Sequence, residues 1–223
     1  MTTVLLVRHG LTAKTGPILT GWMPGVPLDE RGRAQAAAAG RRLAGVPLSL
    51  VVSSPLERCI ETAQALLDGR DGLDKPEIDD RFGEVRYGDW TGRELKDLAA
   101  EPLWKVVQNH PSAVTFPGED GESLATAQHR AVTAVRDWNA RLGGEAVYAV
   151  CSHGDIIKSI IADALGLHLD QFQRIQVDPA SVTVIRYTET RPFLVRMNDC
   201  GGDVKGLIPP NQGDGDAAVG GGA

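Results

Sequence analysis

Three short apolar runs in this chain each break off at a polar, turn-forming group and give way to helical spacing. They occupy residues 2–8, 48–53 and 146–151. Each is too short for a buried helix and rich in valine, leucine or alanine, so it reads as a strand covered on both faces. The breaks are Arg8-His9-Gly10, Ser53-Ser54-Pro55-Leu56-Glu57-Arg58 and Ser152-His153-Gly154. Strand, turn and helix repeated in this order leave few architectures. The expected one is α/β: three layers, α/β/α, with a mostly parallel sheet and helices on both faces. In such sheets ligands bind beyond the carboxyl ends of the strands. His9, His153, Arg8 and Arg58 all fall there.

The remaining elements follow from local signals. Asp29 can cap a helix from Glu30 to about Ala44, stopped by Gly45-Val46-Pro47. Ser54, Pro55 and Glu57 read as N-cap, first-turn proline and capping-box glutamate of a helix to about Asp68. Leu124, Ala127, Ala131, Val135 and Trp138 place a helix over 123–142. Another begins at Asp155 and closes at Gly166, and a short one falls within 168–178. Val182 to Tyr187 and Phe193 to Met197 read as strands joined by a turn at 188–191. Residues 11–28 and 69–80 are turn-rich, and 81–120 mix short helical stretches with breaks. One domain is expected over 1–200. Eight of the 23 residues from 201 onward are glycine and no apolar period remains, so 201–223 reads as a flexible tail.

Composition removes several classes of function. The net charge of -6 comes without a basic stripe, which argues against a nucleic-acid partner. No apolar run approaches the ~18–20 residues that span a bilayer, so no membrane association is expected. The N-terminus has no basic segment before an apolar one and no small-residue cleavage site, so a cytoplasmic location is expected. Three cysteines without C-x-x-C spacing fit neither a disulfide framework nor a zinc site. Cys59 reads as a core residue, and Cys200 falls near the tail. Cys151 precedes Ser152-His153, but a cysteine phosphatase needs an arginine six residues on, where Ile157 stands.

Two imidazoles and two guanidiniums meeting at one point suit a phosphoryl group. Phosphate monoester hydrolysis calls for accelerations of up to ~10²¹, and charge on the equatorial oxygens must be neutralised. Arg8 and Arg58 offer forked donors of matching geometry. His153 adds a donor if protonated. His9 can attack phosphorus through one ring nitrogen, provided that the other finds an acceptor, the Gly10 carbonyl being the nearest at hand. The leaving alkoxide needs a proton. Glu84, in a loop between Gly83 and Gly88, is the best source if burial raises its pKa. It would then turn to base and activate water. Asp89 and Asp155 are weaker candidates. His110, His129 and His168 lack motif context and read as ordinary residues, while Trp104 and Phe116 read as core.

In this order and spacing, several motifs together resemble the histidine phosphatase family, also called phosphoglycerate mutase-like, in its phosphatase branch. They are Arg8-His9-Gly10-Leu11-Thr12, Thr20-Gly21-Trp22 through Pro27-Leu28, Gly32-Arg33-Ala34-Gln35-Ala36, Ser53 through Arg58, Glu84 with Tyr87-Gly88-Asp89-Trp90-Thr91-Gly92, Gly121-Glu122-Ser123 and Ser152-His153-Gly154. The resemblance covers Leu5 to about Asn198. It implies the phosphoglycerate mutase-like fold and His9 as the phosphorylated nucleophile. It also implies a phosphate pocket of Arg8, His9, Arg58 and His153, with Glu84 as proton donor, no metal and no cofactor. Thr15, Thr20, Gly21, Tyr87 and Trp90 are its candidate pocket residues. The partner implied is a small phosphorylated substrate, and a homodimer is an open assembly.

The departures favour hydrolysis over transfer. Mutases of the family usually carry asparagine where Thr15 stands, and a longer insertion with paired arginines. Here Arg86, Arg93, Lys96 and Lys105 are the only Lys or Arg in 84–120, against seven Asp or Glu, and no two arginines adjoin. The family's Pro-Gly-Gly-Glu-Ser becomes Pro117-Gly118-Glu119-Asp120-Gly121-Glu122-Ser123, which adds acid at the expected pocket rim. Asp155 right after His153-Gly154 also disfavours highly anionic substrates. The function expected is a metal-independent phosphatase for small phosphomonoesters. The alternatives are a bisphosphoglycerate-dependent phosphoglycerate mutase and a non-catalytic phospho-ligand-binding protein.

Overall fold

The structure, a computed structural model, describes residues 1–202. Its strands are β1 (Thr2–Arg8), β2 (Leu50–Ser53), β3 (Glu77–Ile78), β4 (Val147–Ser152), β5 (Val182–Tyr187) and β6 (Pro192–Asp199). The helices are α1 (Glu30–Leu43), α2 (Glu57–Leu67), α3 (Leu95–Leu98), α4 (Pro102–Asn109), α5 (Leu124–Leu142) and α6 (Gly154–Ala164). The strands form one sheet in the order β3-β2-β4-β1-β5-β6. The β3-β2, β2-β4 and β4-β1 pairs are parallel, whereas β5 runs antiparallel to β1 and β6.

The central strands are apolar at nearly every position because both faces are covered. Val4, Leu6, Val52, Tyr148 and Val150 join the cluster that includes α5 and α6 residues such as Ala131, Val135, Ile157 and Ile160. Their neighbours Leu5, Val7, Val51, Ala149 and Cys151 join α1 and α2 through Ala39, Leu43, Cys59, Ala63 and Leu66. This alternation is the two-residue period of a strand sorting side chains into the two helical layers. Register sets the site. Arg8 pairs with Ser152, and Ser53 with Cys151, so β1, β2 and β4 end level with one another.

The expected cap on α1 forms, Asp29 accepting from the Gly32 amide at 2.7 Å, and Ser123, placed inside the helix by the sequence reading, instead caps α5 by accepting from the Thr126 amide at 3.0 Å. The Ser54 cap does not form. α2 starts at Glu57 behind Leu56, with no side-chain cap, so Glu57 is the first helical residue rather than a capping-box partner. The Ser54 hydroxyl accepts from the Leu56 amide at 3.3 Å, ahead of the helix, and meets His153 Nε2 at 2.8 Å. β3 lies in a stretch expected to be turn; its two exposed residues leave no apolar pattern to read. The short helix expected within 168–178 is a 3₁₀ stretch over Leu169–Arg174.

Residues 81–120 mix short helices, α3 and α4, with irregular stretches and 3₁₀ turns at Asp80–Phe82, Gly88–Trp90 and Pro111–Ala113. An aromatic cluster fills this region: Phe116 stacks edge-on to Tyr87 at 4.9 Å and to Trp90 at 5.5 Å between ring centroids. Trp90 also lies 6.2 Å from Trp104. Apart from Gly201 and Gly202, the expected tail lies outside the described residues. No described helix is long and apolar enough to cross a membrane.

Candidate active site

At the end of β1, Arg8 donates from Nη1 to the Val177 carbonyl at 2.7 Å. The chain then leaves the sheet, held by the His9 amide on the Ser152 carbonyl at 3.0 Å. His9 Nδ1 lies 2.7 Å from the Gly10 carbonyl. A carbonyl only accepts, so Nδ1 carries the proton and Nε2 keeps its lone pair. The loop after His9 runs hard against α1. A Cβ on Gly10 would sit 2.5 Å from the Gly32 carbonyl oxygen, and one on Gly32 would sit 1.9 Å from that of Leu11.

Arg58, in the first turn of α2, donates from Nη2 to the Gly21 carbonyl at 2.8 Å. The same nitrogen lies 3.3 Å from His153 Nδ1. Its Nε is buried with no hydrogen-bond partner among the described residues. His153 ends β4 and puts Nε2 at 2.8 Å from Ser54 Oγ. A guanidinium only donates, so Nδ1 is the acceptor and Nε2 carries hydrogen toward Ser54. The two histidine rings stand edge to face, 5.2 Å apart.

Glu84 arrives from the irregular segment. Its Oε1 accepts from the Val85 amide at 2.9 Å, and its Oε2 lies 3.8 Å from His153 Nδ1. Arg130 of α5 pins this loop by donating to the carbonyls of Arg81, Gly83 and Glu84 at 2.7–2.9 Å, and it pairs with Glu122 at 2.6 Å. The Trp22 indole also donates to the Glu84 carbonyl. His9, Arg58, Glu84 and His153 are all no more than 2% exposed.

Burial and company set the protonation states. Burial, reinforced by Arg58 and Arg8, holds both histidines well below the usual imidazole range. Both are therefore neutral in the free protein, and His153 is no cationic donor until a phosphate dianion offsets the arginines. Glu84 moves the other way. Burial, then the charge of Asp155, push it up to about 8 against the Val85 amide and the two arginines. A neutral imidazole beside a protonated carboxyl is the state that nucleophilic attack with acid assistance requires near neutral pH.

Of the candidate pocket residues, Gly21 reaches Arg58 through its carbonyl. Thr20 is buried next to it. Thr15 braces the loop after His9 through bonds to Thr12, at 3.0 Å to its amide and 2.9 Å to its hydroxyl. Tyr87 gives its hydroxyl to Asp155. Trp90 is buried in the aromatic cluster against Trp104 and Phe116. Close to Glu84 is a cavity of about 460 Å³ lined by Trp22, Arg86, Asp89, Glu119 and Asp120, among others. The acidic pair of the 117–123 loop thus stands on its wall. Arg86 lies over the Trp22 ring at 4.1 Å.

Sequence reasoning missed Ser54, Arg130 and Trp22 as parts of the site. Ser54 was hidden by a plausible cap. Arg130 gave one signal, its place beside Ala131 and Ala127 on the buried side of α5. Among the described residues no group of three or more His, Cys, Asp or Glu is placed to hold a metal.

Two imidazoles, two guanidiniums and a protonated carboxyl at the carboxyl end of a mostly parallel sheet define a class of α/β protein built to receive a phosphoryl group. The family model for the histidine phosphatase superfamily (branch 1) matches residues 4–200. The chain belongs to that superfamily. It is 33% identical to a glucosyl-3-phosphoglycerate phosphatase of Mycolicibacterium vanbaalenii, over 76% of each chain. It is 28% identical to a 2,3-bisphosphoglycerate-dependent phosphoglycerate mutase 2 of Gloeobacter violaceus, over 80% of this chain and 82% of that one. Among solved structures it is similar to Bacillus stearothermophilus YhfR, with a TM-score of 0.79 and 27% identity over 89% of this chain and 98% of that one.

Proposed function

We propose that the protein is a cytoplasmic, metal-independent phosphatase that hydrolyses small phosphomonoesters through a phosphohistidine on His9. The observation that carries this reading is the Nδ1 bond of His9 to the Gly10 carbonyl, which leaves Nε2 as the only ring nitrogen with a lone pair. Nε2 attacks phosphorus and the bond to the ester oxygen breaks. Glu84 gives that oxygen its proton as the alcohol leaves. Arg8, Arg58 and His153 hold the phosphoryl oxygens through both steps. The Glu84 carboxylate then takes a proton from water, whose oxygen attacks phosphorus. The phosphorus–nitrogen bond breaks, and phosphate and neutral His9 are released.

The mutase is the second reading, favoured by the relative that carries that name. A mutase must hold a second anionic group while the phosphoryl group moves. The cavity wall here sets three carboxylates, Asp89, Glu119 and Asp120, against the single Arg86, which supports hydrolysis. A purely binding role has no use for a protonated buried carboxyl beside a lone-pair nitrogen. A homodimer stays within the proposal as its assembly.

The test is a panel of phosphomonoesters, including 3-phosphoglycerate, with and without bisphosphoglycerate, following free phosphate and isomer together. Phosphate release without bisphosphoglycerate is expected. Isomer exchange that depends on it makes the protein a mutase, and silence in both channels makes it a binder. His9→Ala should lose at least ~10⁴-fold in turnover, since the covalent route goes with the nucleophile. Near-normal turnover in that variant refutes the mechanism. A chelator should leave activity unchanged.

A further inference from the structure

The loop that carries Glu84 and the helix that follows His153 meet at one buried polar contact. Tyr87, three residues beyond Glu84, donates its hydroxyl to Asp155 Oδ2 at 2.9 Å. Asp155 lies in the first turn of α6, two residues beyond His153. Both are buried. Asp155 Oδ1 lies 3.7 Å from Lys158 Nζ, which lies 3.3 Å from Gln173 Oε1. The phosphoryl-transfer steps above use none of these groups, although a buried carboxylate is costly to keep.

We propose that Asp155 is a positioning residue for Glu84, tying the acid-bearing loop to the helix behind His153 through Tyr87. This rests on the reading of Glu84 as proton donor. The tie works because residues 84 and 87 share one short loop and residues 153 and 155 share one turn. Fixing Tyr87 on Asp155 therefore fixes the spacing of the Glu84 carboxyl and the His153 ring, 3.8 Å apart. Proton transfer is sensitive to that spacing.

The charge of Asp155 has a second effect. Glu84 is faced by Arg8 from β1, Arg58 from α2, His153 from the end of β4, Asp155 from α6 and the Val85 amide of its own loop. Both arginines and the amide favour the carboxylate. Among the described residues Asp155 is the anion that opposes them, and burial acts in the same sense. Lys158 compensates part of its charge. Without Asp155 the arginines gain ground, and Glu84 gives up its proton at lower pH.

The experiment compares kcat/KM against pH for β-glycerophosphate and p-nitrophenyl phosphate in the full chain and three variants. Asp155→Asn keeps an acceptor for Tyr87 and removes the charge. For β-glycerophosphate its alkaline limb should move about one pH unit lower, a roughly fivefold loss at pH 8 with little change at pH 6. p-Nitrophenyl phosphate, whose leaving group needs no proton, should be nearly unaffected. Tyr87→Phe keeps the charge and removes the bond. It should lower β-glycerophosphate turnover at every pH with the limb in place. Unchanged β-glycerophosphate turnover in Tyr87→Phe, or equal losses on both substrates at all pH values in either variant, overturns the proposal, and an unmoved limb in Asp155→Asn overturns the charge effect. Should that variant fail to fold, Asp155→Ser carries the same comparison. Glu84→Gln separates the two claims: if it keeps the wild-type dependence on leaving group, Glu84 is not the donor and the underlying reading falls by itself.

Discussion

Glu84 holds at pH 7 a proton that it would have lost in water, the two histidines stay neutral far below the pH at which free imidazoles take one up, and the chemistry depends on the Glu84 inversion. Glu84 is neutral because burial and Asp155 outweigh two arginines, and the histidines are neutral because burial and the same arginines agree. Acid assistance at the leaving oxygen should therefore fade as pH rises toward and past 8. Replacing Glu84 by Gln keeps the shape and removes the transferable proton. kcat/KM for alkyl phosphates should fall by roughly 10²–10⁴, and that for activated aryl phosphates far less, because kcat/KM reports the first, phosphorylating step. Loss of the base in the second step should make phosphohistidine accumulate, visible as a burst in rapid quench. A uniform fall in kcat/KM across leaving groups removes Glu84 from the acid role.

The β1-to-α1 crossover orients the nucleophile, and its tolerance is set by backbone rather than side chains. Gly32 lies where a Cβ would meet the Leu11 carbonyl oxygen at 1.9 Å, and the loop moved by such a clash includes the Gly10 carbonyl that fixes the His9 tautomer. Gly32→Ala should lose about 1–3 kcal/mol, the usual cost of overpacking, together with much of the turnover. Gly45→Ala, with open space around the new methyl, should stay within about 0.5 kcal/mol of wild type. Urea midpoints for both variants check this, and equal midpoints refute it.

The same element shows what a sequence can and cannot reveal. The buried strands and the Asp29 cap were legible because their signals are local: an apolar run, or an oxygen before a helical period. Ser54 looked like a cap by the same local rule, but its hydroxyl is claimed by His153, 99 residues away. The 81–120 segment was illegible because distant side chains hold it. Arg130 binds three of its carbonyls and Trp22 binds one of the same three. The histidines and arginines stood out because strand ends are where such a sheet gathers its chemistry. The tie between Tyr87 and Asp155 did not, since nothing near either residue points to the other.

Across the whole molecule these buried groups couple stability to pH, and the signs can be worked out. The histidines titrate near 6.5 when unfolded and well below that when folded. Below pH 6.5 the unfolded chain binds two protons that the folded one refuses, so stability falls with falling pH. Glu84 titrates near 4.5 unfolded and about 8 folded. Between those values the folded chain holds one extra proton, so stability falls with rising pH. From 4.5 to 6.5 the two histidines outweigh the one carboxyl, leaving a net slope of up to about 1.4 kcal/mol per pH unit in favour of higher pH. From 6.5 to about 8 the carboxyl acts alone and the slope reverses. Above pH 9 the buried thiols, with Cys59 pushed up to about 12, continue the decline. Stability in phosphate-free buffer should therefore peak near pH 6.5. Glu84→Gln should convert the peak into a plateau reaching to about pH 9, because the one group responsible for the middle decline is gone. Urea unfolding of both proteins across pH 5–9 measures this. A wild-type optimum above pH 8, or a Gln variant that still declines between 6.5 and 8, would show that Glu84 is ionised in the folded protein and that the inversion on which acid catalysis rests does not exist.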